Sequence, residues 1–217
     1  MDDLLGAWHC RLRTQAAATD DGDGAHDVDH LDRVWRTART LLAEHSAADP
    51  LVVLAACYLH DGVNLPKDHP DRARASTLAA GAGVARLRAW GFAEDKLPAV
   101  AHAIAAHSFS AGIAPTTIEA RIVQDADRLD ALGAVGLARL FYTAGRLGSA
   151  LAHSSDAAGS ERPLDDRAYA LDHIMVKLAT LPGTMQTVAG RRLGEERLAW
   201  LLEFRRQFLA EWGSVEA

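Results

Sequence analysis

Apolar residues recur at helical spacing along most of the chain. In residues 31–42 they fall at intervals of three and four, which is the stripe of an amphipathic helix. Residues 50–60, "PLVVLAACYLH", are apolar on all sides and predict a helix buried at the centre of the fold. Asp49 followed by Pro50 predicts where this helix begins, because Asp is a favoured cap and Pro suits the first helical position.

The second half of the chain predicts more helices. Thr116 and Glu119 match a capping box that would open a helix through "IEARIVQDADRLDAL". Residues 165–181 and 189–212 have the pattern of two further amphipathic helices, and no run alternates apolar with polar residues as a strand would. These patterns predict an all-α fold of about eight to ten helices.

Composition limits the class of protein and its partners. Hydrophobic residues make up 49% of the 217, charged residues 24%, and the formal net charge is -6. We therefore expect one domain over residues 1–217, with a mobile loop near 152–166 where polar residues gather with Gly and Pro. A negative chain is a poor match for a nucleic acid polymer.

Location is predicted from what the sequence lacks. No apolar stretch approaches the roughly 18 residues of a membrane span. We see no signal peptide at the N-terminus, and two cysteines cannot build a disulfide framework. We expect a cytoplasmic protein without a membrane partner. The sequence leaves its oligomeric state open.

The dipeptide His60-Asp61 is the first candidate for chemistry. A His-Asp pair is weak evidence alone, since the chain has ten histidines and holds a second such pair at residues 26–27. Its context is stronger evidence for a functional site, because the pair ends the apolar run of residues 50–60. A buried carboxylate there needs a cation, several donors or a metal ion as its partner.

Other helices offer further ligands. His30 flanks the apolar stripe of residues 31–42, and His26 lies one turn earlier on the same side. The segment "RIVQDADRLDAL" carries Asp125, Asp127 and Asp130 in an otherwise apolar helix. Its periodicity puts Asp127 and Asp130 on one side and Asp125 on the other. Any of these acids could supply a carboxylate.

Taken together, these motifs resemble the HD-domain superfamily of metal-dependent phosphohydrolases. The resemblance rests on "HLDRV" with His30, on His60-Asp61 after an apolar helix, and on Asp127 in "DADRLDALG". The longer stretches "YLHDGVNLPKDHPDRARAS" and "QDADRLDALGAVGLAR" look like the bacterial subgroup related to YedJ and YpgQ. The similarity runs from about residue 25 to 195.

The resemblance implies an HD fold and a metal site. His30, His60, Asp61 and Asp127 would hold one divalent ion, with Mn, Ni, Co, Fe, Zn and Mg as candidates. The implied activity is hydrolysis of nucleotides with a metal-activated water. The cut would release phosphate from a monophosphate ester, or convert a triphosphate to monophosphate and pyrophosphate.

Further residues around the four ligands are candidates for catalysis and substrate binding. Asp61, His107 and Asn64 are the catalytic candidates, Asp130 would lie just behind the ligands, and Arg128 would orient a ligand carboxylate. Positive or hydrogen-bonding groups suited to a phosphate are Lys67, Arg72, Arg74, His26, His102 and Arg128.

Differences from better-known members of the superfamily argue against some of its activities for this chain. Alarmone hydrolases carry a Glu-Asp pair soon after the HD motif, another nucleotidase subgroup carries Glu where this chain has Asn64, and the cyclic-dinucleotide enzymes carry Gly-Tyr-Pro. None of these is present, so the general base stays unassigned. Two alternatives remain: a di-iron oxygenase that draws on His26, His102 and His107, and a helical binding or regulatory domain with a structural metal.

Overall fold

The computed structural model describes residues 2–19, 27–63, 74–108 and 111–213, and they confirm the all-α prediction. Within these residues there is no strand, and one isolated bridge joins Ala150 to Tyr169. None of the described helices has the length and hydropathy that a membrane span needs. The nine α-helices of the described part are α1 Asp2–Ala18, α2 Val28–Leu42, α3 Pro50–Leu59, α4 Ala75–Ala89, α5 Leu97–His107, α6 Ile118–Asp130, α7 Gly133–Leu147, α8 Asp172–Val176 and α9 Val188–Trp212. The chain divides into two compact units, residues 1–127 and 128–217.

Helix α3 is the centre of residues 1–127, as its apolar sequence predicts. It packs against α1, α2, α4 and α5, and every residue from Leu51 to Leu59 is buried. Each large apolar side chain buried in this way contributes about 1.5–3 kcal/mol. The predicted cap is confirmed, because the Asp49 carboxylate accepts the N–H groups of Leu51 and Val52 at 2.9 and 3.4 Å.

Helix α2 begins three residues before its apolar stripe. Asp27 caps it by accepting the N–H of His30 at 2.9 Å, which places His30 in the first helical turn. The stripe residues Leu31, Val34, Trp35, Ala38 and Leu41 are buried. The cap and the stripe together hold the His30 side chain, which is 1% exposed, inside the fold.

Helix α6 forms, but the predicted capping box is wrong. The hydroxyl of Thr117, not Thr116, accepts the N–H of Ala120 at 3.2 Å. The carboxylate of Glu119 accepts the backbone N–H of Asp49 at 3.0 Å. Glu119 therefore ties α6 to the start of α3 in place of closing its own helix, a contact between distant residues that a local motif does not reveal.

The long helix predicted for residues 165–181 is also wrong, since only α8 is α-helical there. Side chains take the backbone groups that a longer helix would use. Asp165 accepts the N–H groups of Arg167 and Ala168 at 3.0 and 3.1 Å. Asp and Asn side chains compete with helices in this way. The last predicted helix is confirmed as α9, which packs against α7 and α8.

Hydrogen bonds organise the polar loop of residues 152–166. The Asp156 carboxylate accepts the N–H groups of Gly159, Ser160 and Glu161 at 2.9–3.1 Å. Arg162 reaches from the loop to Asp172 in α8. The mobility of this loop stays a prediction.

Candidate metal centre

Five side chains from four helices meet in residues 1–127. His30 lies in the first turn of α2, His60 ends α3 and is followed by Asp61, His107 is the last residue of α5, and Asp127 lies in the last turn of α6. Their nitrogen and oxygen atoms form two overlapping groups of possible metal ligands, His30 with His60 and Asp61, and His60 with His107 and Asp127. The ends of four helices meet here, and each of them carries a polar residue of the cluster in or next to its terminal turn.

The distances within this cluster suit a metal ion better than direct hydrogen bonds. Nε2 of His30 lies 3.6 Å from Asp61 and 3.6 Å from Asp127. Nε2 of His60 lies 3.5 and 3.6 Å from the same two carboxylates. Hydrogen bonds between such groups are shorter, at about 2.7–3.2 Å. Ligand atoms about 2.1 Å from one ion are separated by about 3.0–3.4 Å, so a small inward movement would complete a coordination shell.

Two of the histidines are oriented by their own helices. Nδ1 of His60 donates to the carbonyl of Cys57 at 2.9 Å, and Nδ1 of His107 donates to the carbonyl of Ile104 at 2.6 Å. A carbonyl only accepts, so Nδ1 of each ring carries a proton and Nε2 is the nitrogen that faces the cluster. Among the described residues, Nε2 of His60 is buried and has no hydrogen-bond partner. Metal-binding histidines show this arrangement, with the second ring nitrogen held by a carbonyl.

The electrostatics of the side chains in this cluster favour a positive charge at its centre. Burial alone would lower the pKa of His60, but Asp61 and Asp127 outweigh it and raise the pKa to about 9. Burial would raise the pKa of each carboxyl group, but the surrounding histidines hold both values well below their usual range. Burial, reinforced by the positive charge of His60, lowers the pKa of His107.

The cluster opens to solvent on its carboxylate side. The side chains of His30 and His60 are at most 1% exposed, whereas those of Asp61 and Asp127 are 31% and 26% exposed. A ligand would therefore reach an ion from the side of the carboxylates. Imidazole nitrogens with carboxylate oxygens form a mixed set that suits divalent ions from manganese to zinc.

The other predicted site residues bind other parts of the chain, are exposed, or lie outside the described residues. His102 accepts the backbone N–H of Thr116 at 2.9 Å, so it serves the segment before α6. Arg128 donates to the carbonyl of Thr184 at 3.0 Å, and the Asp130 carboxylate accepts a hydrogen bond from Arg139 at 2.7 Å. Arg74 is exposed at the start of α4. Four candidates lie outside the described residues: His26, Asn64, Lys67 and Arg72.

Sequence reasoning missed Gln124 and Tyr58. Nε2 of Gln124 donates to the carbonyl of Ala106, next to His107, at 2.6 Å. The Tyr58 hydroxyl donates to Asp32 at 2.5 Å and so joins α3 to α2 two residues from His60 and His30. The available signal was a polar side chain inside an apolar run, which marks both residues.

Comparison with known proteins gives a consistent result. The family model described as "HD domain" matches residues 27–132. The chain is 34% identical over 221 residues to the uncharacterized protein YpgQ of Bacillus subtilis (strain 168), covering 100% of this chain and 98% of YpgQ. A crystal structure of Bacillus subtilis YpgQ in complex with ADP superposes with a TM-score of 0.74 at 32% identity, covering 95% of this chain and 96% of that one. An HD-superfamily hydrolase from Bacillus thuringiensis superposes with a TM-score of 0.73 at 28% identity, covering 96% and 98% of the two chains.

Proposed function

Because this chain belongs to the HD-domain family, we propose that it is a divalent-metal-dependent phosphohydrolase that acts on nucleotides. The observation that carries the proposal is the cluster of His30, His60, Asp61 and Asp127, whose facing atoms lie 3.5–3.6 Å apart. The ADP bound to YpgQ, a relative over the whole chain, supports a nucleotide as the substrate.

In this proposal His30, His60, Asp61 and Asp127 hold one divalent ion. A bound ion of this kind lowers the pKa of its water and polarises a phosphoryl oxygen. The hydrogen bond to the carbonyl of Cys57 fixes the orientation of the His60 ring, so that its Nε2 would already point toward an ion held by these residues. Preorganised ligands of this kind reduce the cost of binding an ion.

His107 is the chain's own candidate for moving a proton. Its Nδ1 is committed to Ile104, and its Nε2 lies 3.7 Å from Asp61 at the open side of the cluster. A neutral imidazole with a free lone pair can accept a proton from an attacking water, or contact a phosphate oxygen once protonated. We assign His107 this role.

Charge neutralisation of the phosphate falls to positive groups near the cluster. The candidates Lys67, Arg72 and Arg74 follow the HD pair in sequence, and of these Arg74 lies in the described part of the chain. Their contacts with substrate stay predictions. The identity of the metal, the scissile bond and the cytoplasmic location also stay predictions.

A substrate panel tests the proposal. The protein is freed of metal, reloaded separately with Mn, Co, Ni, Fe, Zn or Mg, and offered nucleoside mono-, di- and triphosphates together with sugar phosphates. Chromatography separates release of phosphate from release of pyrophosphate. We expect turnover of nucleotides with at least one metal, and none after chelation. A folded protein that turns over nothing with any metal would contradict the proposal.

Variants identify the residues responsible. His60→Gln and Asp127→Asn should remove both the metal and the turnover. His173→Gln is the matched control, because His173 also pairs with a carboxylate, that of Asp166 at 2.8 Å, but in residues 128–217. The control should keep both properties. Activity that survives His60→Gln unchanged would show that turnover comes from another source.

Metal analysis separates the alternatives. A di-iron oxygenase would draw on His26, His102 and His107, and His102 is already engaged with Thr116. About one metal ion per chain supports the phosphohydrolase, whereas two iron ions per chain and oxygen consumption support the oxygenase. A regulatory domain with a structural metal would lose stability in Asp127→Asn and have no turnover to lose.

A further inference from the structure

Gln124 is a buried polar residue that the proposed chemistry does not use. It lies in α6, three residues before Asp127, and is 3% exposed. Its neighbours Ile122, Val123 and Ala126 are fully buried. A buried amide costs free energy unless it forms hydrogen bonds, so an apolar residue of similar shape would cost less at this position.

One hydrogen bond accounts for the position of this side chain. Nε2 of Gln124 donates to the carbonyl of Ala106 at 2.6 Å. The opposite orientation of the amide would set two oxygens against each other, so the donor is fixed. The Oε1 atom of Gln124 is buried and has no hydrogen-bond partner among the described residues. Gln124 therefore forms one hydrogen bond, to the carbonyl of Ala106, while the burial of its unpaired Oε1 costs free energy.

That carbonyl belongs to the last turn of α5, immediately before His107. The last four carbonyls of a helix have no partner within it. Here the ring of His107 takes the carbonyl of Ile104, and Gln124 takes that of Ala106. The end of α5 is therefore fastened to α6 by a side chain one turn from Asp127.

We propose that Gln124 is the positioning residue for His107. By binding Ala106 from the helix that carries Asp127, it sets where the His107 ring lies relative to both carboxylates of the cluster. The expected effect on kcat/KM rests on the proposed function. The position of the His107 ring does not, and it can be tested in the metal-free protein. The four residues assigned to the ion do not depend on it.

A double-mutant cycle measures the kinetic consequence. Gln124→Met removes the donor at nearly constant volume and should lower kcat/KM about tenfold, with metal content unchanged. In a His107→Gln background the same change should have almost no further effect, because a residue that acts through His107 has nothing left to position. Losses that simply multiply in the double variant would overturn the proposal. Gln124→Leu, which also removes the donor and leaves no polar atom to bury, serves the same cycle if Gln124→Met does not fold.

Histidine ring nitrogen NMR on the metal-free protein tests the geometry without any turnover. We expect a proton on Nδ1 of His107 in the parent protein and changed His107 ring signals in Gln124→Met. The signals of His102, five residues earlier in α5, should not move. Unchanged His107 signals would overturn the proposal even if the enzyme is active. Changed signals in a protein without turnover would support it while the proposed function fails.

Thr117, at the start of α6, provides a matched control in the helix that carries Gln124. Thr117→Ala removes the hydrogen bond to Ala120 and should lower Tm by about 2–4 °C, as loss of a helix cap does. It should leave kcat/KM and the His107 signals unchanged. If Thr117→Ala changes both as Gln124→Met does, general loosening of α6 explains the effect and the proposal fails.

Discussion

Asp172 in α8 and Asp127 in α6 are both acidic side chains set among apolar residues, and their partners differ. The Asp172 carboxylate accepts two hydrogen bonds from Arg162 at 2.6 and 2.9 Å and one from the backbone of Asp165 at 2.8 Å. Asp127 faces the Nε2 atoms of His30 and His60, each at 3.6 Å. The first carboxylate is neutralised by direct contact, and the second faces its neighbours across a gap.

The difference separates a polar cluster that stabilises the fold from one that can take a ligand. Charge-assisted hydrogen bonds are short, and a carboxylate that has three of them needs no ion. Histidine nitrogens and carboxylate oxygens held just beyond hydrogen-bond distance form a cage of electron-pair donors. Four experiments test this distinction, in order of decreasing expected effect.

Removing a ligand from the cluster should have the largest effect. Asp61→Asn keeps the shape of the side chain but removes its charge. We expect kcat to fall at least about a thousandfold with the preferred metal, since the ion supplies several kcal/mol of transition-state stabilisation. Metal content measured by mass spectrometry should fall with it. A variant that keeps its metal and its activity would remove Asp61 from the site.

Breaking the other cluster should affect stability and leave the metal in place. Arg162→Met leaves the Asp172 carboxylate, which is 1% exposed, without its main cation, and should lower the free energy of unfolding by about 3 kcal/mol. Urea unfolding measures this loss. Metal content should stay at the parent level. If Arg162→Met removes the metal as well, the two clusters do not differ as described.

Metal binding should stabilise the parent protein. An ion at a hundred times its dissociation constant adds about 2.7 kcal/mol, provided that it binds only the folded state. For a chain of this size that raises Tm by about 5–10 °C. The rise should be absent in Asp127→Asn and retained in Arg162→Met. An equal rise in all three proteins would indicate binding elsewhere.

Asp49 provides the smallest test, as a carboxylate paired at the edge of the fold. Burial would raise its pKa, but hydrogen bonds from Lys96 and from the start of α3 lower it below its ordinary value. Its contribution to stability is therefore present above about pH 4 and is lost as pH falls through the lowered pKa. Asp49→Asn keeps the cap and removes the charge.

The expected cost of Asp49→Asn at pH 7 is below about 1 kcal/mol, as is usual for a partly exposed ion pair. The difference from the parent protein should shrink as the pH falls below about 4, because the Asp49 carboxylate then becomes protonated in the parent protein. Unfolding curves recorded at several pH values measure it. A difference that does not depend on pH would mean that the charge of Asp49 is not what stabilises the helix start.

Much of the fold could be predicted from the sequence because it depends on local pattern. The apolar run before His60 identifies α3 as the central helix, and Asp49 with Pro50 marks where it begins. The helix expected over residues 165–181 fails because Asp165 binds backbone N–H groups that a helix would need. Periodicity records which face is apolar, and it does not record this competition.

The candidate site could be predicted only in part. The motif resemblance named His30, His60, Asp61 and Asp127, and the described structure brings these four together with His107. The motif resemblance could not indicate that His102, in the same helix as His107, binds Thr116 instead of joining the cluster. Such pairings depend on how α5 and the segment before α6 pack, and no local spacing encodes that.

Anomalous X-ray diffraction from crystals soaked in manganese tests the central claim most directly. We predict one strong peak about 2.1–2.3 Å from Nε2 of His30, Nε2 of His60 and oxygens of Asp61 and Asp127. The peak should disappear from crystals of Asp127→Asn. A peak coordinated by other residues, or no peak at these four side chains at saturating manganese, would contradict the account.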